Sequence, residues 1–226
     1  MKDINYWRKK IINSDIRVIA INGSPKKDGN TATAIEVMAE ILREDGIETE
    51  TLQVGGERVS GCVACEKCWQ SDNNFCAIED DVVNDFSAKM RKADGIILGA
   101  PTYYGGIPGD MKSFLDRVFF SSSVYFKYKV GTAVAVVRRA GGLDALKGLM
   151  NFFNLAQTVT PPSQYWMLAY GRDKKEILQD AEGMQTIRKN ARSMAWLLKM
   201  IAETKGKIPT PDEIKYEKRI FTNFIR

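Results

Sequence analysis

Four cysteines are the residues of this 226-residue chain whose spacing most directly indicates chemistry. Cys62, Cys65, Cys68 and Cys76 follow the pattern C-x2-C-x2-C-x7-C. Three thiolates at two-residue gaps can curl around a cube of iron and sulfide, and a more distant fourth can close it. Zinc sites prefer two separate C-x-x-C hooks, which fits this overlapping triple less well. The pattern therefore favours a 4Fe–4S cluster over zinc, and a loop without metal stays open as a third interpretation.

The complete absence of histidine narrows the remaining chemistry. It excludes Ser-His-Asp and Cys-His nucleophile arrangements, zinc ligation by histidine and acid–base catalysis by histidine. An enzyme with this composition would take its chemistry from a cofactor or from carboxylate, lysine, tyrosine or cysteine side chains. The net charge of +5 is a weak indication of anionic small-molecule partners, and we expect no nucleic-acid partner.

The composition is that of an ordinary globular protein, 44% hydrophobic and 27% charged. No apolar run approaches the ~18 residues of a spanning helix. Residues 1–14 are polar and charged, without the apolar core of a secretory signal. We therefore expect a cytoplasmic protein with no membrane partner. In that reducing compartment, clustered cysteines indicate metal or redox chemistry before disulfides.

Short apolar runs alternate with helical patterns, and these elements must position the cysteines. Strands are predicted at residues 17–22, 47–54, 95–99, 132–137 and 165–170. Helices are predicted from three- and four-residue apolar spacing at residues 31–44, 80–92, 108–121, 143–156 and 181–204. Mostly continuous apolar strands that alternate with helices indicate a parallel sheet covered on both faces.

No internal repeat or linker marks a second domain. We assign an N-terminal arm at residues 1–15, a main domain at residues 16–205 and a C-terminal arm at residues 206–226. The main domain contains a Cys-rich insertion at residues 60–80. The arms carry aromatic residues that need cover, namely Tyr6, Trp7, Phe221 and Phe224. This is one reason to expect a homodimer or homotetramer.

Charged residues near the cysteine loop receive simpler interpretations. Asp80 and Asp81 are predicted to cap the helix that follows them and to supply its first-turn negative charge. Lys112 and Arg117 are predicted to lie on a solvated helix face or to contact a partner. Neither pair is expected to be catalytic.

Three loops follow strands at the edge where open parallel sheets bind ligands. The first, GSPKKDGNT at residues 23–31, enters a helix, so its backbone N–H groups and hydroxyls form a candidate phosphate site. It matches neither G-x-G-x-x-G nor the Walker pattern, which argues against a Rossmann-bound NAD and against an NTP on a P-loop. A plain turn with a Thr or Asn helix cap stays open as the alternative.

The other two loops are suited to a flat ring. APTYYGGIP at residues 100–108 offers two tyrosines for stacking and two glycines for close backbone approach. RRAGG at residues 138–142 is also glycine-rich and leaves the next strand. Together the three loops outline a phosphate pocket and a planar-ring pocket on one rim of the sheet.

With these motifs in this order, residues 17–154 resemble the NADPH-dependent FMN reductases of the flavodoxin-like superfamily. The motifs are GSPKKDGNT, ADGIILGAPTYYGGIPGDMKSFLDR and VRRAGG. The cysteine loop brings the sequence closer to the iron–sulfur flavoproteins of that group. The resemblance implies an α/β fold, a flavodoxin-like doubly wound five-stranded parallel sheet of order 2-1-3-4-5 with helices on both faces, binding FMN at its switch point.

The resemblance also implies the residues of the FMN site. Those implied at the FMN phosphate are Ser24, Lys26, Asn30 and Thr31. Those implied along the isoalloxazine are Pro101, Thr102, Tyr103, Tyr104 and Gly105, with Gly141 and Gly142 near its pyrimidine side. No side chain is expected to be catalytic, because the flavin supplies the chemistry.

The implied function is an FMN-dependent oxidoreductase that takes hydride from NADH or NADPH. Its electrons would pass to a small-molecule or protein acceptor, through a 4Fe–4S cluster where one is bound. Two alternatives stay open: a cluster-free NAD(P)H quinone or nitro-compound reductase, and a flavodoxin-type electron carrier that is not an enzyme. The charge of +5 argues against the carrier, since flavodoxins tend to be strongly acidic.

Overall fold

The sheet of the computed structural model, which describes residues 16–218 and 220–222, has five parallel strands. They are β1 (Arg17–Asn22), β2 (Glu48–Gln53), β3 (Gly95–Pro101), β4 (Val130–Val137) and β5 (Leu168–Tyr170). Their order is β2-β1-β3-β4-β5, and every neighbouring pair is parallel. This confirms the predicted fold class. The predicted N-terminal arm, with Tyr6 and Trp7, lies outside the described residues, as does Phe224.

Seven α-helices are found in the part of the chain that the structure describes. They are α1 (Asn30–Glu44), α2 (Lys67–Gln70), α3 (Val83–Lys92), α4 (Gly109–Ser122), α5 (Gly142–Leu155), α6 (Ala181–Thr204) and α7 (Pro211–Ile214). Two short 3-10 turns lie at Ser123–Tyr125 and Glu176–Gln179. All five predicted helices are present, each with its predicted ends within three residues.

Glycines in the strands show which helices cover each face. A Cβ on Gly95 would meet Met194 of α6, and a Cβ on Gly99, four residues later in β3, would meet Ile35 of α1. A Cβ on Gly131 would instead meet the ring of Phe153 in α5. Gly131 pairs with Ile96, one residue out of step with Gly95, so it points to the opposite face. Helices α1 and α6 therefore cover one face and α5 the other.

Four strands differ from their predicted extents. β2 is one residue shorter at each end than predicted, and β3 continues two residues further, to Pro101. β4 begins two residues earlier than predicted, at Val130, because Gly131 is accommodated under the Phe153 ring. β5 has only three residues, whereas six were predicted. Tyr165 and Trp166 are exposed and pack on each other edge to face, so they do not enter the sheet.

The carboxyl ends of the parallel strands bring the predicted loops to one edge of the sheet. The N–H of Gly23, after β1, donates to the carbonyl of Gly99 in β3 (2.8 Å). The N–H of Thr102, after β3, donates to the carbonyl of Val136 in β4 (2.8 Å). Within residues 16–218 and 220–222, no helix is both long and apolar enough to cross a membrane.

Candidate flavin and cysteine sites

The loop after β1 is held in place by its own polar groups. The N–H of Ser24 donates to Oδ1 of Asn22 (3.0 Å), and the N–H of Lys26 donates to Oγ of Ser24 (3.2 Å). Ser24 is buried, while Lys26 is exposed at the tip of the loop. The hydroxyl of Ser24 therefore lies inside the turn, and the ammonium of Lys26 is free to approach an anion from outside.

The end of β2 supports this loop from the side. Nε2 of Gln53 donates to the carbonyls of Ser24 (2.6 Å) and Gly55 (2.7 Å), and Nδ2 of Asn22 donates to Oε1 of Gln53 (2.8 Å). A Cβ on Gly55 would lie 2.2 Å from the carbonyl carbon of Ser24, so only glycine fits there. None of these three supports was predicted from the sequence, where the available signal was a polar residue that ends a buried strand, as Asn22 does.

The N-terminus of α1 faces the loop without a side-chain cap. Gly29 is the N-cap residue, it makes no side-chain capping bond, and the first turn contains no acidic residue. Thr31, in that turn, is buried. The first-turn N–H groups and the positive end of the helix dipole therefore suit a phosphate.

Asn30 has partners elsewhere. Its Nδ2 donates to the carbonyl of Asp173 (2.9 Å), and its Oδ1 accepts from the N–H of Ile177 (3.4 Å). The side chain that we expected at the phosphate is thus hydrogen-bonded at both polar atoms to the segment after β5. Its backbone N–H remains in the first turn of α1. Sequence spacing could not reveal these partners, which lie more than 140 residues away.

The same segment after β5 is joined to the loop tip by an ion pair. Lys174 pairs with Asp28, next to the exposed Lys26 and Lys27. The hydrogen bond from Lys174 and its positive charge lower the pKa of Asp28. Asp28 is therefore ionised and neutralised by Lys174, which leaves the two adjacent lysines to give the tip its positive charge.

The loop after β3 forms a tight hairpin. Tyr103 and Gly106 exchange backbone hydrogen bonds of 3.0 and 2.8 Å, and both residues between them have positive φ, 49° at Tyr104 and 77° at Gly105. This is the geometry of a type I′ turn, in which a tyrosine at the first central position is unusual. Tyr103 is half-exposed and Tyr104 fully exposed. The hairpin thus projects two aromatic rings from the rim.

The loop after β4 approaches the base of that hairpin. Gly141 has φ 81°, and a Cβ there would lie 3.1 Å from Cα of Gly105 and 3.6 Å from Cγ2 of Thr102. A Cβ on Gly142, the first residue of α5, would lie 2.9 Å from Cγ1 of Val137. The structure therefore brings Thr102, Gly105 and Gly141 together, as expected. Main-chain atoms line the space at these residues, which we call the glycine cradle.

A buried hydroxyl at this cradle has no partner. Oγ1 of Thr102 is buried and makes no hydrogen bond within the described residues, and Thr102 follows Pro101 at the end of β3. Such a group costs about 1–3 kcal/mol when it stays unpaired. Together with the uncapped α1 helix and the side-chain-free cradle, this hydroxyl fits a planar cofactor that carries a phosphate and polar ring atoms.

The four cysteines line one small cavity beside α4. Its wall includes Cys62, Cys65, Cys68 and Cys76 together with Arg117. All four cysteines are free thiols; Cys68 is buried, Cys76 half-buried and the other two exposed. The pKa of the Cys68 thiol is raised mainly by burial and, to a smaller extent, by the charge of Cys76. The donor set is the one that an iron–sulfur cluster takes.

The cysteine cavity is small, and the described residues do not form a site for a single metal ion. Among the described residues, no three Cys, His, Asp or Glu side chains are gathered closely enough to hold a metal ion. The cavity of about 20 Å³ has room for about one water molecule. A 4Fe–4S cluster is larger than this cavity, so the cysteine loop would have to rearrange to admit one.

The backbone of the cysteine loop is unusual. Ala64, Glu66 and Asn74 have positive φ, between 50° and 58°, although none is glycine. Ala64 and Glu66 lie one in each gap of the cysteine triple. Residues held in this sparsely populated region concentrate at functional sites, where the surrounding structure enforces them. These backbone conformations mark the cysteine loop as a candidate functional segment.

Aromatic residues fasten the middle of the loop to the body. Trp69 stacks on Phe120 of α4, with ring centroids 4.4 Å apart, and donates its Nε1–H to the Phe120 carbonyl (2.9 Å). The guanidinium of Arg91 lies 3.8 Å from the ring centroid of Phe75 and donates to the carbonyls of Asn73 and Asn74, both at 2.6 Å. Helices α3 and α4 therefore both hold the loop.

Arg117 differs from its predicted position on a solvated helix face. It is 1% exposed and pairs with Asp81, whose side chain is also buried. Burial opposes its charge, but the hydrogen bonds to Asp81 and Cys76 raise the pKa of Arg117 overall. Asp81 also accepts the N–H of Val83 (3.1 Å), the first residue of α3. The N-cap position is Val82, however, and the acidic residue of the first turn is Asp85, so the predicted capping roles of Asp80 and Asp81 are wrong.

Comparison with known proteins agrees with this geometry. Residues 16–173 match the sequence profile of the NADPH-dependent FMN reductases. An iron–sulfur flavoprotein from Methanocaldococcus jannaschii is 32% identical over 194 residues, which cover 82% of this chain and 99% of the relative. An iron–sulfur flavoprotein from Methanosarcina thermophila is 31% identical over 196 residues, which cover 85% of this chain and 100% of the relative.

Solved structures support the fold. RosB, crystallised with 8-demethyl-8-formylriboflavin-5′-phosphate, superposes with a TM-score of 0.65 at 17% identity and covers 84% of this chain and 81% of its own. A flavodoxin, WrbA-like protein from Agrobacterium tumefaciens gives a TM-score of 0.58 at 18% identity, with 83% and 99% covered. By its profile and its relatives, the chain belongs to the NADPH-dependent FMN reductase family, with the iron–sulfur flavoproteins, and is an FMN oxidoreductase.

Proposed function

We propose that this protein binds FMN at the edge formed by β1, β3 and β4 and oxidises NADH or NADPH there. Its electrons would pass to an acceptor through a 4Fe–4S cluster held by Cys62, Cys65, Cys68 and Cys76. The observation that carries the proposal is the meeting of an uncapped helix, a glycine cradle and an unpaired buried hydroxyl at one sheet edge. Bound FMN would accept hydride and release electrons singly, and the cluster would carry single electrons.

The loop after β1 would hold the phosphate. The hydroxyls of Ser24 and Thr31 and the first-turn N–H groups of α1, including that of Asn30, are the donors. Lys26 would add charge from the solvent side. This role is supported by the burial of both hydroxyl residues and by the absence of a side-chain cap at Gly29.

The loops after β3 and β4 would hold the ring. Thr102 would donate its hydroxyl to a polar ring atom, and Pro101, Gly105, Gly141 and Gly142 would give the ring flat backbone to lie on. Tyr103 and Tyr104 would cover the ring from the hairpin. Because both tyrosine side chains are exposed to solvent, a nicotinamide could still reach the ring from one side.

Helix α4 links the two sites. It begins directly after the ring-binding loop, where Oδ2 of Asp110 accepts the N–H of Gly56 (2.6 Å) from the segment leading to the cysteines. Arg117, at the cysteine cavity, follows seven residues later, about 10 Å along the helix. This short separation supports direct passage of electrons from flavin to cluster within one subunit.

Exposed apolar side chains support assembly into a homodimer or homotetramer. Val63 and Trp69 on the cysteine loop are 67% and 54% exposed, and Tyr104 on the hairpin is fully exposed. A second copy or a protein acceptor that covered them would also shield the outer cysteines from water and oxygen. We place this chemistry in the reducing cytoplasm, which would keep the four thiols available.

The test is the visible spectrum of anaerobically purified protein, with iron and sulfide analysis, before and after NADH or NADPH. We expect FMN, about four irons per chain and rapid bleaching of both chromophores. Bleaching of FMN without iron would select the cluster-free quinone or nitro-compound reductase. FMN that neither NADH nor NADPH bleaches would select the electron carrier.

A variant separates the phosphate site from a plain turn. Each hydrogen bond to a charged phosphate contributes about 1.5–3 kcal/mol, so Ser24→Ala with Thr31→Ala should weaken FMN binding at least about tenfold. An FMN dissociation constant equal to that of the wild type would refute the phosphate assignment.

A further inference from the structure

Arg117 connects three separate parts of the cysteine loop through one guanidinium. Its Nη1 donates to the carbonyl of Ser60 (3.3 Å), two residues before Cys62. Its Nη2 donates to the carbonyl of Ile78 (2.7 Å), two residues after Cys76. Its Nε donates to Sγ of Cys76 itself (3.2 Å). The entry, the exit and the last cysteine of the loop therefore share one side chain.

The charge of this group is balanced within the structure. Arg117 is 1% exposed and pairs through Nη1 with Asp81, whose side chain is 5% exposed. A buried charge without a partner is strongly destabilising, whereas the pair together is neutral. Ionised cysteines would add further negative charge beside the guanidinium, although Asp81 already balances the charge of Arg117.

Only the planar fork of arginine can make this set of contacts. Its donors point in fixed directions and can reach a sulfur, two carbonyls and a carboxylate at once, whereas lysine offers one compact ammonium. Cys76 is also fixed through its backbone: its N–H donates to Oδ1 of Asn84 (2.9 Å), and its carbonyl accepts from Nδ2 of Asn84 (2.8 Å). Cys76 is thus held through its sulfur, its N–H and its carbonyl before any cluster binds.

We infer that Arg117, with Asp81 as its counterion, is a positioning residue that clamps both ends of the cysteine loop and presets Cys76 as a cluster ligand. The inference rests on the proposed function, since it assigns the four cysteines to a cluster. The hydrogen bond from Nε of Arg117 to a ligand sulfur would favour the more negative, reduced cluster and raise its reduction potential. Outer contacts of this kind typically change metal affinity by about ten- to a hundredfold when they are lost.

The experiment compares wild type with Arg117→Lys and with the double variant Arg117→Met, Asp81→Asn, which leaves no unpaired buried charge. The matched control is Lys112→Met with Asp116→Asn, an ion pair on the same helix that does not contact the loop. Three quantities are measured: backbone hydrogen exchange of residues 60–78 in iron-free protein, iron retained against a chelator after anaerobic reconstitution, and the midpoint potential of the cluster. FMN binding and thermal unfolding report whether each variant is folded.

We expect faster exchange across residues 60–78 in both Arg117 variants and wild-type exchange in the control. The double variant should lose iron at about ten- to a hundredfold lower chelator concentration, and its remaining cluster should have a more negative potential. Arg117→Lys, which keeps the ion pair with Asp81 but not the planar fork, should lose the protection from exchange. Wild-type exchange, iron retention and potential in both folded variants would overturn the inference.

Failure of the proposed cluster and failure of the proposed clamp give different results. If wild-type protein takes up no iron, the cluster in the proposed function is wrong, whatever the variants do. The exchange comparison needs no iron, so it still decides the clamp: faster exchange in both folded Arg117 variants supports it, and unchanged exchange overturns it.

Discussion

Gly141 lies against Gly105, close enough that a methyl group on Gly141 would sit 3.1 Å from the Gly105 Cα. Both residues have positive φ, 81° and 77°. The loops after β3 and β4 can therefore meet this closely because Gly141 carries no side chain, whereas a Cβ on Gly105 would have nothing within 4 Å. This contact joins the two parts of the proposed ring site, which are 36 residues apart in the sequence.

Gly141→Ala should weaken FMN binding at least about tenfold, because the added methyl pushes the two loops apart at the ring site. The variant should also lose about 1–2 kcal/mol of folding free energy from its left-handed backbone. Gly46→Ala is the control: Gly46 has nearly the same φ, 79°, but nothing within 4 Å of its added Cβ. FMN fluorescence titration and urea unfolding of both variants measure this. Equal loss of FMN affinity in both would contradict the close-approach argument.

Thr102→Val should have opposite effects on the empty and the FMN-bound protein. Without FMN, removing a buried hydroxyl that has no partner should raise the free energy of unfolding by about 1 kcal/mol. FMN affinity should fall at least about tenfold, because the proposed bond to the ring is lost. Thr49→Val is the matched control, since Oγ1 of Thr49 is also buried without a partner but lies in β2. An FMN affinity that stays unchanged in Thr102→Val would exclude that bond.

The strands and helices could be predicted because each depends on local patterns, whereas the strand order was implied by the family resemblance. Continuous apolar runs such as residues 95–99 are typical of buried parallel strands, and the alternation with helices leaves few topologies. The extent of β5 could not be predicted, because Tyr165 and Trp166 satisfy strand preferences but pack on each other outside the sheet. A propensity does not say which apolar residues find a place in the ladder.

The cysteine cavity was predictable as a cluster of donors, whereas its support was not. Arg117 follows Phe114 by three residues and precedes Ser121 by four, so it shares the buried side of α4, and that spacing was the available signal. Its ionic partner Asp81 is 36 residues away and was assigned only to helix capping. Pairings of this kind arise when two helices and a loop converge, which no local pattern encodes.

Cys76→Ala should remove the cluster while FMN stays bound, because an iron–sulfur cube with an open corner is labile to water and oxygen. The protein should still be reduced by NADH or NADPH, and electron transfer to one-electron acceptors should fall. Iron and sulfide analysis with the visible spectrum, on anaerobic protein, measures this. Equal iron content in wild type and variant would take the cluster out of the proposed function and leave an FMN reductase.

Lys129 should make the stability of the fold depend on pH at mildly alkaline values. Its ammonium donates to the carbonyls of Arg91 (2.6 Å), Met90 (3.5 Å) and Ala93 at the end of α3. Burial lowers the pKa of Lys129 from 10.5 to about 8, against the nearby charge of Asp94, which raises it. Between these two values the unfolded chain holds more protons than the folded one, so the free energy of unfolding rises with pH across that interval.

Relative to Lys129→Met, the wild type should therefore gain about 2 kcal/mol between pH 7.5 and 9.5, and this gain should level off above about pH 10.5. Urea unfolding of both proteins at these pH values measures the difference. Lys92→Met is the control, since Lys92 belongs to α3, the helix that Lys129 contacts, but is exposed. Its removal should leave the pH dependence of the free energy of unfolding unchanged. A wild type and a Lys129→Met variant with parallel pH profiles would show that the buried ammonium keeps its proton well above pH 8. In that case the three carbonyls, rather than burial, set its protonation.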